Sequence, residues 1–170
     1  MDFSPLWKIS KENAKPVYDF NVEGGKALME QRLRYWQHIL NLDHWIIEAD
    51  LVDEIKNPRG EDDRTTLGIN MMTPESCYAQ IAISKKEPPV GRKFDELTLV
   101  HELMHCVILL FGSEDETYME GVASVYTEQQ VELIARSLMK AKYSLEMEDF
   151  YKQPSVLNDK GCETELASSF

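Results

Sequence analysis

Cysteine is scarce in this sequence: Cys77, Cys106 and Cys162 are the only three in 170 residues, and no two stand at CxxC spacing. An odd, scattered set of thiols argues against a disulfide framework and against a thiolate-held zinc, so free thiols are expected. Long apolar runs are lacking as well. No segment approaches the roughly 18–20 consecutive apolar residues that span a bilayer. The opening MDFSPLWKISKEN lacks the basic-then-apolar plan of a secretory leader. Together these absences predict a cytoplasmic protein with no membrane contact. Positive charge is in short supply: 18 basic residues face 30 acidic ones, a net −12, so a phosphate backbone would be repelled unless basic residues gathered on one face. Nucleic acid is not an expected partner. There is no internal repeat and no low-complexity tract.

What remains is ordinary globular material, 43% hydrophobic and 28% charged, and long enough for one domain with its own core. Residues 1–22 carry Pro5 and Pro16 and no sustained period, and read as an N-terminal arm. The domain proper is expected over 23–144. From Lys26 to Leu42, Met29, Leu33, Trp36 and Leu40 recur at helical spacing, with Glu30, Arg32, Arg34 and Gln37 on other faces. Trp45 to Val52 alternates Ile47, Ala49 and Leu51 against Glu48 and Asp50, the pattern of a half-buried strand. Asp53 to Arg64, with Pro58 and Gly60, reads as a loop. Thr66–Met71 and Cys77–Ser84 read as short strands about a Thr73-Pro74-Glu75-Ser76 turn. Beyond the loop through Pro88, Pro89 and Gly91, DELTLVHELMHCVILLF is apolar almost all round, as in a buried helix. Asp95 and Glu96 suit its first turn and Gly112 its end. Ser113 or Thr117 would cap a further helix running to about Tyr143. Residues 145–170, broken by Pro154 and Gly161, read as a loosely packed tail. The fold class is mixed α/β (α+β).

The chemistry lies in His101-Glu102-Leu103-Met104-His105, an HExxH match. On a helix the two imidazoles are stacked on one face within reach of one ion. Glu102 adjoins that face, where it can take a proton from an attacking water and hand it to a leaving amine. Thr98, His101, Glu102 and His105 form a single polar stripe between Leu97 and Phe111. Burying it unpartnered would cost several kcal/mol, so it needs a metal or a dense hydrogen-bond network. Cys106, about 100° round the helix from His105, is expected in the core. His38 and His44 read as surface or hydrogen-bonded histidines. One catalytic Zn2+ ion usually takes three protein ligands. No histidine follows His105, so a carboxylate is expected. In a tight hairpin turning near Gly112 the residue level with the histidines falls near Glu120, the first choice. A looser connection brings Glu128 into register, and Glu114, Glu116, Glu132 or a water remain open. Tyr118 and Tyr126 are candidate donors to an oxyanion, although tyrosines on such helices more often simply pack.

HELMH followed by YMEGVASVYTEQ resembles the gluzincin group of zinc metallopeptidases, in which a glutamate on the next helix completes the site, often within an E-G-x-A stretch like Glu120-Gly121-Val122-Ala123. WQHILNLDHWII, LTLVHELMHCVI and EQQVELIARSL are similar to small phage- or prophage-encoded metallopeptidases and, more distantly, to SprT-like domains. The resemblance covers roughly residues 26–142. It implies a minimal zincin fold, a small sheet whose edge strand holds an extended peptide or protein substrate, a zinc helix and a glutamate helix. Cys77–Ser84 would be that edge. The short interval from His105 to Glu120 departs from the large gluzincins and keeps Glu128 open. No zinc ribbon of the SprT type is present, and the glycine-rich motif of peptide deformylases is missing. Two rivals stand beside a zinc peptidase: a zinc-binding regulatory module without turnover, and a metal-free helical interaction protein. A tail from about Glu146 that folds over the cleft as an inhibitor is a further expectation.

Overall fold

The computed structural model of the chain describes residues 15–56, 66–88, 93–111 and 122–151. Gly24, at φ 73°, turns the chain into helix α1 (Gly25–Ile39). Gly25 lies so close to Phe20 that a Cβ there would overlap its carbonyl. Met29, Leu33 and Trp36 are buried as their spacing predicts. So are Arg32 and Gln37, which the periodicity had put on polar faces. Each has partners that make burial tolerable. Gln37 Nε2 donates to the carbonyls of Leu42 (2.9 Å) and Trp45 (2.7 Å), fixing the turn into the sheet, and Arg32 meets Glu96.

The sheet comprises β1 (Ile46–Val52), β2 (Gly68–Thr73) and β3 (Tyr78–Ser84), in the order β1-β3-β2. β3 runs parallel to β1, with Ile46 opposite Tyr78, and antiparallel to β2, with Gly68 opposite Ile83. The expected edge strand is thus the central one. Ala79, Ile81 and Ile83 are its buried apolar side chains, and the strand with the most apolar surface gains most from neighbours on both sides. The edges are β1 and β2. A Pro74–Ser76 turn and Cys77, at φ 49°, link β2 to β3. One sheet face, through Ile47, Ala49, Ala79, Ile81 and Ile83, enters the core, while Ile46, Met71 and Gln80 face outward.

Helix α2 (Asp95–Phe111) covers that inner face, and α3 (Val122–Tyr143) packs against α2. Leu99, Val100, Leu103 and Cys106 are wholly buried, as are Val131, Ala135 and Met139 of α3. The mixed α+β class is as expected. The start of the expected tail does not lie loose: Leu145 and Phe150 are buried, and the Phe150 ring sits 5.8 Å from that of Phe94. Among the described residues no helix is long and apolar enough to cross a membrane.

The first turn of α2 holds more than its dipole. Glu96 is 0% exposed. It accepts from Trp36 Nε1 (2.8 Å), Tyr143 OH (2.6 Å), Lys142 Nζ (3.2 Å) and the Val17 amide (2.9 Å), with Arg32 Nε at 3.6 Å. Removing one charge from such a buried set strands the others. Glu96→Gln should therefore lose about 3–5 kcal/mol in denaturant unfolding; a loss under about 1 kcal/mol would show that the cations do not need this charge.

Asp95, also buried, accepts from the Phe20 amide (2.8 Å) and lies 3.5 Å from Lys93 Nζ. Burial raises its carboxyl from 3.8 to about 6, although the Phe20 amide and the Lys93 ammonium pull the other way. The folded chain holds this proton more tightly than the unfolded one. Its contribution to stability is therefore complete below about pH 4 and is lost as pH rises through 6. Between pH 4 and 7 the unfolding free energy of Asp95→Asn should gain on wild type by about 2–3 kcal/mol. A difference that stays constant across that range would mean that Asp95 ionises as it does in the open chain.

Candidate metal centre

The polar stripe of α2 faces both neighbours: Thr98 and Glu102 lie against Gly68 of β2, and His101 and His105 meet α3. The two imidazoles lie edge to face, with ring centroids 5.1 Å apart. From α3, Glu128 reaches both: Oε2 lies 3.1 Å from His101 Nε2 and Oε1 3.5 Å from His105 Nε2. One ligand atom from each of the three falls within 4.8 Å of the other two, the one such group among the described residues. Two imidazoles and a carboxylate on a common centre suit a borderline ion such as zinc, whose ligands stand at about 2.0–2.2 Å. Glu128 is 57% exposed, so the cluster opens to solvent.

The other nitrogen of His101 is also held. Nδ1 lies 3.0 Å from Glu132 Oε2, and Glu132 Oε1 accepts from Arg136 Nε at 2.6 Å. A carboxylate on Nδ1 fixes the ring's orientation with Nε2 toward the common centre. Burial opposes charge on His101, but the Glu132 hydrogen bond and the charges of Glu102, Glu132 and Glu128 outweigh it and hold the imidazole above its ordinary pKa. Burial depresses His105, which favours its neutral, ligating form. Glu132 stays below the usual carboxylate range, since its bonds to His101 and Arg136 overcome its burial. A cation bound at His101 Nε2 would displace a proton, so its occupancy would fall with falling pH.

Glu102 is buried, and burial pushes its carboxyl up to about 7, against the lowering influence of His101. It lies against β2 where Gly68 has no side chain: a Cβ there would stand 2.5 Å from Glu102 Oε1 and 2.6 Å from Thr98 Cγ2. Two residues on, Asn70 Nδ2 donates to the Glu102 carbonyl (2.8 Å) and to Cys106 Sγ (3.2 Å), pinning the strand to the helix.

The structure thus brings together His101, His105, Glu102 and the alternative Glu128. Glu120, the first choice as third ligand, lies outside the described residues with Glu114, Glu116 and Tyr118, and Tyr126 falls within α3. His38 bonds Asp43 at the surface (2.9 Å), and Cys106 is in the core. Sequence reasoning weighed Glu132 only as a ligand and missed Arg136, Gly68 and Asn70. A signal for the first two exists: Glu128, Glu132 and Arg136 recur every four residues, one stripe of α3 matching the four-residue step from His101 to His105. No family model, curated protein or solved structure matches the chain.

Filling the space at Gly68 forces Glu102 or the strand to move. Gly68→Ala should cost about 1–3 kcal/mol in thermal or denaturant unfolding. Wild-type stability in this variant would mean that Glu102 is not seated against the strand.

Proposed function

We propose that the protein is a zinc-dependent hydrolase of peptide bonds, with His101, His105 and Glu128 holding one Zn2+ ion and Glu102 serving as general base and then acid. The observation that carries this reading is the convergence of three ligating side chains beside the buried carboxylate of Glu102. Zinc, when bound, supplies a Lewis acid that makes water more acidic and polarises a carbonyl.

The chain's own groups do the rest. Glu102, adjoining the two histidines on α2, can take a proton from the attacking water and return it to the departing amine. Glu132 keeps His101 oriented. β2 supplies the substrate edge in place of β3: it runs along α2 beside Glu102, and among the described residues no strand pairs with its outer side. An extended peptide adding there would gain main-chain hydrogen bonds and bring a carbonyl toward Glu102. The order helix, small sheet, histidine helix, glutamate helix supports a minimal zincin plan.

After expression with ample metal, the wild type should carry close to one zinc per chain by elemental analysis, and Glu128→Ala much less. Under about half an equivalent in the wild type counts decisively against the reading. Glu102→Gln should keep its zinc and lose all cleavage of a peptide library. A wild type that holds zinc but cleaves nothing would make the protein a binding module.

A further inference from the structure

Behind the metal ligands a chain of contacts leaves the site and ends in the segment that follows α3. We propose that Arg136 is a positioning residue for the metal centre, and that the segment 144–151, through Phe150 and Tyr151, is its anchor. The inference rests on the metal reading above.

Arg136 is held on every side. Its Nε donates to Glu132 Oε1 at 2.6 Å, and Glu132 Oε2 in turn takes His101 Nδ1 at 3.0 Å. Nη1 donates to the Tyr151 hydroxyl. The guanidinium lies over the rings of Phe150 (5.6 Å) and Tyr151 (5.1 Å). The Phe150 ring is fixed in place. Leu145 and Phe150 are buried in the core, Phe150 stacks near Phe94, and Glu146 and Asp149 close a reciprocal capping box around the intervening turn.

The physical point is rotamer freedom. An arginine left alone is rich in side-chain entropy and would hold a neighbouring carboxylate only loosely. Lying over the buried Phe150 ring and bonded to the Tyr151 hydroxyl it is already ordered, and its planar fork presents Nε to one oxygen of Glu132. With that oxygen taken, the other stays on His101. Glu132 is 34% exposed, so without Arg136 its carboxylate can turn to solvent, and the His101 ring loses the partner that fixes its orientation. The segment therefore supports the metal from behind, where an inhibitory tail would cover its open side. By reciprocity, metal at the site also favours the docked segment.

The test uses the full chain and zinc itself, with affinity read by competition against a chromophoric chelator and thermal stability measured with and without zinc. Arg136→Met should weaken zinc about 10–100-fold, as losses behind a ligating histidine do. Its melting temperature without zinc should change little, while the stabilisation that zinc adds should shrink. Glu132→Gln should weaken zinc comparably, and the double variant no further than Glu132→Gln alone, because Arg136 acts through Glu132. Tyr151→Phe keeps the ring and removes only the hydroxyl, and should weaken zinc roughly two- to fivefold. Losses that multiply in the double variant, or a folded Arg136→Met with wild-type affinity, would overturn the proposal. Should Arg136→Met fail to fold, Tyr151→Phe decides, since wild-type affinity there removes the anchor. A wild type without zinc overturns the metal reading and this proposal together, which separates that failure from a wild type that binds zinc beside an indifferent Arg136→Met.

Discussion

A carboxylate with no exposed surface must be surrounded, and the way Glu96 is surrounded determines how the rest of the molecule is assembled. Its partners come from the lead-in at Val17, from α1 at Arg32 and Trp36, and from the end of α3 at Lys142 and Tyr143. None of these segments is close to α2 in sequence. Isolated surface ion pairs contribute little, but here the groups are dry, and a misplaced segment would leave a charge in the core. The constraint is therefore one of uniqueness as much as of strength. It fixes the rotation of α2 about its own axis, and His101 follows little more than one turn later. With α3 clamped at its far end by the same residue, Glu128 and Glu132 are delivered to the histidines from a helix that cannot slide.

Much of this was legible from periodicity. α1, α2 and β1 carry long or strictly alternating patterns, and their bounds fall within a few residues of expectation. The polar stripe of α2 was visible because it interrupts an otherwise apolar helix. Less visible was anything that depends on a partner remote in sequence. Arg32 and Gln37 look like surface residues until Glu96 and the Leu42 and Trp45 carbonyls are placed beside them. The position of β3 in the middle of the sheet depends on strand order, which side-chain alternation does not encode. Local alternation reports which face is buried, whereas edge or centre is decided by neighbours.

At the site the division is similar. HExxH names its own helix position because both histidines and Glu102 lie within five residues. The carboxylate that meets them depends on how α3 is phased against α2, which no local pattern specifies. Glu132 and Arg136 are legible only afterwards, as continuations of the Glu128 stripe. The docking of residues 144–151 was hidden by composition: a polar, acidic stretch reads as solvated, yet Leu145 and Phe150 are buried in the core.

The placement of β3 also bears on how the sheet comes into being. The central strand is the last of the three to be synthesised, and β1 and β2 do not pair with one another. β2 and β3 are separated only by the Pro74–Ser76 turn and can zip locally. β1 must wait, since its partners lie 32 positions away, as in the Asp53–Lys85 pair at the strand ends. Nascent β1 therefore spends its early life as an unpaired strand, and closing the long loop to β3 is the entropically expensive event on the route to the native sheet.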